Sequence, residues 1–346
     1  MSGRQSAAVI GTTRWGTTLA ILLARRGVHV SLWARTEPEA SVLRAANENT
    51  RRLPGYSFPE TLRLTTDLRE AVDSANIVVI AVPSARFRQN VKLLRGLDTG
   101  SAVILGATKG LERGTGRRMS QVLADELGSE NASRYAVLSG PNLSQEVVQG
   151  SPSSTVIASL DEEIAKQAQS LFNSSRFRVY TNTDLVGVEL GGALKNIIAL
   201  GAGMADGMGY GDNGKAAFIS RGIAEITRLG VATGAQPLTF SGLACLGDLI
   251  ATCYSPLSRN HFVGQELAKG RHLEDILAGL GQVAEGVDTT PAALMLAGGL
   301  GIEMPITHQT YRVLYEGLAP RQALEELMAR TPKPEDPLWN GPARLA

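Results

Sequence analysis

Cysteine is almost missing from this sequence: Cys245 and Cys253 are the only two, and they form neither a Cys-x-x-Cys pair nor a disulfide framework. That excludes a disulfide-stapled secreted scaffold and leads us to expect a reducing, cytoplasmic setting. Histidine is scarce too, and none of the four pairs with another His, Cys or acid at a ligand spacing, so no metal is expected. Charge of one sign is lacking. With a formal net charge of +1 in 346 residues the chain has no broad basic face for a phosphate polymer, so nucleic acid is not expected as a partner. No secretory signal is expected either, because polar Met1–Ser6 leads straight into a strand-like run without an apolar h-region. Finally, no apolar stretch is expected to reach the length of a membrane span, since the best candidate, Ala193–Met204, carries Lys195 and Asn196. Membrane insertion is therefore not expected.

What is present is enough apolar material for packed cores, 43% hydrophobic residues against 19% charged, over a length that favours two domains and a cleft between them. The first half alternates strand-like runs (Ala7–Ile10, His29–Trp33, Ile77–Val82, Ala102–Leu105, Tyr135–Leu138, Thr155–Ala158, Phe177–Tyr180) with amphipathic stretches such as Thr17–Arg26, Asp67–Asp73 and Arg117–Leu127. This pattern predicts an α/β fold: a Rossmann-like, doubly wound parallel sheet over residues 1–181. Beyond it the strand signals stop. Helical periodicity then predicts an all-helical domain over 182–332, followed by an irregular proline-bearing tail over 333–346.

Gly11-Thr12-Thr13-Arg14-Trp15-Gly16 closes the first strand and opens the first helix, where a dinucleotide fold seats a pyrophosphate. Thr13 stands where a glycine normally lets the backbone approach that group, so the motif also reads as an ordinary strand-to-helix turn, and Thr13→Gly is expected to tighten cofactor binding. At the end of the second strand the ribose-reading position holds Arg35 rather than a carboxylate. A guanidinium there suits a 2′-phosphate and predicts NADP(H) over NAD(H), unless Arg35 is merely a solvated surface residue.

Lys195 sits on an apolar helix with no acid three or four positions away. It must snorkel to solvent, find a distant acid, or lie in a cleft with a lowered pKa. Lys109 follows a buried-looking strand at the sheet's carboxyl end, as a carbonyl-polarising group or an exposed loop lysine. Asp248 is an acid among apolar residues and needs a cation. Ser258-Arg259-Asn260 offers donors suited to phosphate oxygens, although Ser258 also reads as a helix cap.

Thr108-Lys109-Gly110-Leu111, Ser139-Gly140-Pro141, Val188 to Asn196, Gly247-Asp248-Leu249 with Thr252-Cys253, Ser258-Arg259-Asn260 and Ala284-Glu285-Gly286-Val287 together resemble, in order and spacing, the bacterial NAD(P)-dependent glycerol-3-phosphate dehydrogenase family. The likeness runs from about Ala8 to Ala329. It implies reduction of dihydroxyacetone phosphate to glycerol 3-phosphate for phospholipid synthesis, with NADP(H) preferred and NAD(H) accepted, in a homodimer. By the same resemblance Lys195 is the proton donor, oriented by Asp248 and Thr252, with Lys109 touching both substrate and cofactor. Gly140, Asn142, Ser258, Arg259 and Asn260 complete the substrate site. Gly11, Thr13, Arg14, Trp15, Gly16, Arg35, Ser144, Arg259, Val283 and Glu285 meet the cofactor. Thr13-Arg14 and Asn142-Leu143 depart from the family's usual residues. Competing expectations are another two-domain reductase, of the 6-phosphogluconate or ketopantoate type, and a redox sensor that binds the dinucleotide without turnover.

Overall fold

The computed structural model describes residues 5–281, 283–332 and 335; Met1–Arg4 and, Glu335 apart, the expected tail lie outside the described residues. Ten strands occur: β1 (Ser6–Ile10), β2 (His29–Trp33), β3 (Glu48–Asn49), β4 (Leu53–Ser57), β5 (Leu62–Thr65), β6 (Ile77–Ile80), β7 (Val103–Gly106), β8 (Tyr135–Ser139), β9 (Ser153–Ala158) and β10 (Phe177–Asn182). Eight of them form one sheet in the order β10-β9-β8-β7-β6-β1-β2-β5, and β3 pairs with β4 in a separate hairpin. Side chains alternate between two cores. Ala7 and Val9 pack with Leu19 and Leu23 of the helix Arg14–Arg25, whereas Ala8 and Ile10 face Val72, Phe87 and Val122 on the other side. Helices therefore cover both faces.

The sheet is not wholly parallel, which corrects the expectation from the sequence. β9 runs antiparallel to β8, and β10 follows β9 in parallel. The reason lies in the connections. Between β8 and β9 stands a six-residue helix, Ser144–Gln149, about 9 Å long, too short to carry the chain back along a five-residue strand of roughly 16 Å. The eleven-residue helix Glu162–Phe172 does span that distance, and β10 is parallel to β9. β5 and the β3–β4 hairpin are additional to the strands expected from the sequence. Each strand is short, and Pro54-Gly55 inside β4 breaks the strand signal.

After Asn182 no strand occurs among the described residues. Asp184 caps the helix Leu185–Gly207 by accepting from Gly187 N at 2.9 Å. This helix is the axis of the second domain. It is long and apolar enough to cross a membrane, with a mean hydropathy of 1.4 over its best window, but 94% of that window is buried inside the protein. The segment Pro237–Tyr254 passes the same length and hydropathy test. Length and composition thus do not exclude a span, contrary to the expectation from the sequence; for Leu185–Gly207, packing accounts for the apolar character. The helix Arg259–Ala268 crosses it at very close range: a Cβ on Gly203 would lie 2.1 Å from His261 O, and one on Gly264 2.0 Å from Leu200 O. That contact brings Asn260 onto Asn196.

Candidate active site

Gly11, Pro83-Ser84, Lys109 and Gly140 all lie just past the carboxyl ends of neighbouring strands β1, β6, β7 and β8, where open α/β sheets bind ligands. The helical domain closes over this edge. Lys195 faces it from the long central helix, and Asp248 and Thr252 face it from the helix Asp248–Tyr254, one turn apart on the same side. A single π-type turn, Leu243–Gly247, sets the entry to that helix.

Lys195 Nζ lies 3.1 Å from Asp248 Oδ1 and donates to Thr252 Oγ1 at 2.5 Å. Lys109 Nζ binds Asp248 Oδ2 at 2.6 Å and donates to Gly140 O at 2.9 Å. One carboxylate is thus shared by two ammonium groups, which leaves a net positive charge where Lys195, 6% exposed, and Asp248, 3% exposed, are nearly dry. The three alternatives left by the sequence for Lys195 resolve here: its acid is Asp248, and it does not snorkel. Thr252 Oγ1 donates to Asp248 O at 2.6 Å, so its lone pairs are left to face Lys195. With three N–H bonds on each ammonium, both lysines retain a donor for a substrate oxygen.

Burial lowers the Lys195 pKa, and the Lys109 charge adds to this while Asp248 opposes it. Burial alone would raise Asp248, but the Lys109 and Lys195 charges outweigh it and hold the carboxyl below its ordinary value. Cys245 and Cys253 are free and buried beside this group. Burial pushes both thiols up to about 12, so they form a neutral wall.

A second group continues from the first. Asn260 Nδ2 donates to Asn196 Oδ1 at 2.8 Å, and its Oδ1 accepts from Gly286 N at 3.0 Å, so one amide N–H remains. Ser258 does cap its helix, accepting from His261 N at 3.2 Å, yet its hydroxyl proton is still available. Arg259 donates to Val283 O at 2.6 Å and remains exposed. Asn142 Nδ2 is held by Ser154 O at 3.0 Å, and its buried Oδ1 has no partner.

The cofactor candidates divide. Gly11, Thr13, Arg35 and Val283 line a cleft of about 500 Å³ together with Thr12, Trp33, Glu39 and Arg52, a volume suited to a nucleotide. Gly11 has φ +114° and a Cβ there would meet Ala81 O at 2.7 Å, while a Cβ on Gly16 would meet Gly11 O at 2.1 Å. Both glycines are therefore required by the turn. Thr13, with φ −64°, is unstrained; its hydroxyl accepts from Gly16 N at 3.0 Å and donates to Ala81 O at 2.7 Å. Thr13→Gly would thus remove a helix cap as well as a Cβ, a cost invisible in the sequence. Trp15 packs against the sheet core with its Nε1 buried and unpaired, and Arg14 turns to the β3–β4 hairpin. Arg35 lies over the Trp33 ring at 5.6 Å and donates to Asn90 Oδ1 at 2.7 Å. Glu285 bridges the domains, accepting from Ser84 N at 3.2 Å and from the Ser84 hydroxyl. Burial raises its pKa against those bonds. Ser144 opens its helix with no side-chain bond to the groups above.

Sequence reasoning missed Ser84, Glu39, Arg52 and Asn49. Ser84 had a signal, the Val82-Pro83 end of a buried central strand, whereas Glu39, Arg52 and Asn49 belong to segments whose folding back over the cleft has no local signature. Among the described residues no cluster of three or more His, Cys, Asp and Glu side chains is placed to hold a metal.

Comparison with known proteins agrees over nearly the whole chain. Residues 6–165 match the family model described as the N-terminus of NAD-dependent glycerol-3-phosphate dehydrogenase, and residues 184–325 match the C-terminus of the same family. A glycerol-3-phosphate dehydrogenase (NAD(P)+) of Dehalococcoides mccartyi strain 195 is 54% identical over 322 residues, covering 93% of this chain and 90% of that protein. The crystal structure of glycerol-3-phosphate dehydrogenase from Coxiella burnetii superposes with a TM-score of 0.90 at 38% identity, covering 94% of this chain and 99% of that one. A ketopantoate reductase of Ralstonia eutropha shares the fold alone, with a TM-score of 0.58 at 16% identity over 92% of this chain and 99% of that one. On these matches and this geometry, the chain belongs to the NAD-dependent glycerol-3-phosphate dehydrogenase family.

Proposed function

We propose that this protein reduces dihydroxyacetone phosphate to sn-glycerol 3-phosphate, supplying the glycerol backbone for phospholipid synthesis. The observation that carries this reading is the Lys195–Asp248–Lys109 arrangement, a buried and a half-buried ammonium group sharing one carboxylate. A nicotinamide cofactor, when bound in the glycine-loop cleft, supplies the hydride. Lys195 gives its proton to the oxygen formed at C2 and takes it back in the reverse reaction. Lys109 stabilises negative charge as it develops on that oxygen. Ser258, Arg259 and Asn260 hold the phosphate, and that remote binding energy aligns the reacting carbon. Initial rates of NADPH and NADH oxidation test the reading: turnover with dihydroxyacetone phosphate and little with ketopantoate is expected, and the reverse order would overturn it.

Arg259→Ala should lower kcat/KM for dihydroxyacetone phosphate by about 100-fold, the loss of a charge-assisted contact of roughly 3 kcal/mol. A steady-state titration of this ketone checks it, and an unchanged kcat/KM would remove Arg259 from the phosphate site.

We also propose that NADP(H) is preferred and NAD(H) accepted, that no metal takes part, and that the protein works as a homodimer in the cytoplasm. Asn90 and Trp33 hold the Arg35 guanidinium beside the cleft, which supports recognition of a 2′-phosphate. Glu39, fixed by the Thr12 hydroxyl on the same wall, works against it. Glu39→Gln should therefore raise the NADPH-to-NADH ratio of kcat/KM about fivefold, near 1 kcal/mol of removed repulsion. Competing both cofactors in one assay reads this ratio, and a fall would contradict the placement of the 2′-phosphate.

A further inference from the structure

Two arginines, Arg14 and Arg52, meet beside the glycine loop, and the charge of Arg259 from the helical domain is felt with theirs. Arg14 is the first residue of its helix, and its Nε donates to Arg52 O at 2.8 Å. Arg52 stands in the turn between β3 and β4 and is half-buried on the cleft wall beside Gly11, Thr12 and Thr13. Its turn is locked to the glycine loop by Asn49, which is 2% exposed. Asn49 Nδ2 donates to Thr12 O at 3.0 Å and to Thr17 Oγ1 at 2.8 Å, while its Oδ1 accepts from Arg52 N at 3.2 Å. Loop and turn therefore form one unit.

Arg259 reaches the same place from the other domain, held by the carbonyl of Val283, which also lines the cleft. Although open to water on one side, Arg259 is crowded by protein. Desolvation lowers its pKa; Glu285 opposes this, and the nearby charges of Arg14 and Arg52 add to it. Among the described residues the Arg52 side chain forms no ion pair, although Glu39 lines the same cleft. Like charges gathered at a helix N-terminus, with Glu285 offsetting them only in part, raise the free energy of the empty cleft and favour an anion there.

We propose that Arg52 is a cofactor-binding residue, which with Arg14 and Arg259 grips the pyrophosphate of the dinucleotide and replaces by charge what Thr13 gives up in close backbone approach. This rests on the reading of the chain as a dinucleotide-dependent dehydrogenase. The pyrophosphate, rather than the 2′-phosphate, is the target because Arg52 is joined to Arg14 and the glycine loop, while Arg35 stands apart with Trp33 and Asn90.

Calorimetric titration with NADH and with NADPH tests the proposal on the wild type, Arg52→Ala, Arg52→Gln, Arg52→Lys and Arg35→Ala. Both neutral Arg52 variants should raise Kd about tenfold for the two cofactors alike, with a smaller rise at high salt and partial recovery in Arg52→Lys. Arg35→Ala should raise Kd for NADPH only. An unchanged Kd in Arg52→Gln, with the fold verified by circular dichroism, would overturn the proposal, as would a loss confined to NADPH. A wild type that binds neither cofactor would instead sink the dehydrogenase reading itself.

Discussion

Lys195→Ala lowers kcat for dihydroxyacetone phosphate reduction by about 10²–10⁴-fold, the range expected when a positioned general acid is removed. The loss should be catalytic and not one of folding. Asp248 keeps Lys109 at 2.6 Å, so deleting the Lys195 ammonium leaves no buried carboxylate without a partner. The pH profile separates this from a merely structural effect. Reduction needs Lys195 protonated, so the wild-type rate falls as pH rises through its pKa, which burial and the Lys109 charge place below that of an ordinary lysine. Oxidation of glycerol 3-phosphate needs it neutral and rises over the same interval. In Lys195→Ala both limbs should vanish from the residual rate. Retention of the wild-type profile would give the proton transfer to another group.

Asp248→Asn should cost comparably in rate, but by a different route. The substitution removes the carboxylate that lies between the two ammonium groups and opposes the lowering of the Lys195 pKa. Lys195 then stays neutral at lower pH, so the descending limb of the reduction profile moves to the acid side instead of disappearing, and kcat at neutral pH falls by about 100-fold or more. Two lysines left close together without their shared acid also destabilise the fold by roughly 3–5 kcal/mol, which a denaturant titration reads. A variant with wild-type stability and an unmoved pH limb would show that the carboxylate orients neither lysine.

Much of this site was legible because single residues violated the chemistry of their surroundings. Lys195 on an apolar helix and Asp248 among leucines each demanded a distant partner, and each proved to be the other's. The alternation of strands and helices likewise gave the domain plan. What could not be read depended on lengths and meetings without a local signature. The reversal at β9 follows from a helix too short for a parallel crossover, and the hairpin carrying Asn49 and Arg52 is hidden by Pro54-Gly55. Glu285 on Ser84 joins residues 201 positions apart. Nothing in the order of residues signals that the Thr13 hydroxyl caps the helix that opens at the glycine loop.

A crystal structure of the complex with NADP+ and glycerol 3-phosphate tests the placement of chemistry most directly. The substrate's C2 oxygen should lie about 2.6–3.2 Å from Lys195 Nζ, with its phosphate on Arg259 and its C2 hydrogen facing the nicotinamide. A substrate whose phosphate sits away from Arg259, or whose C2 oxygen meets neither Lys195 nor Lys109, would contradict the account.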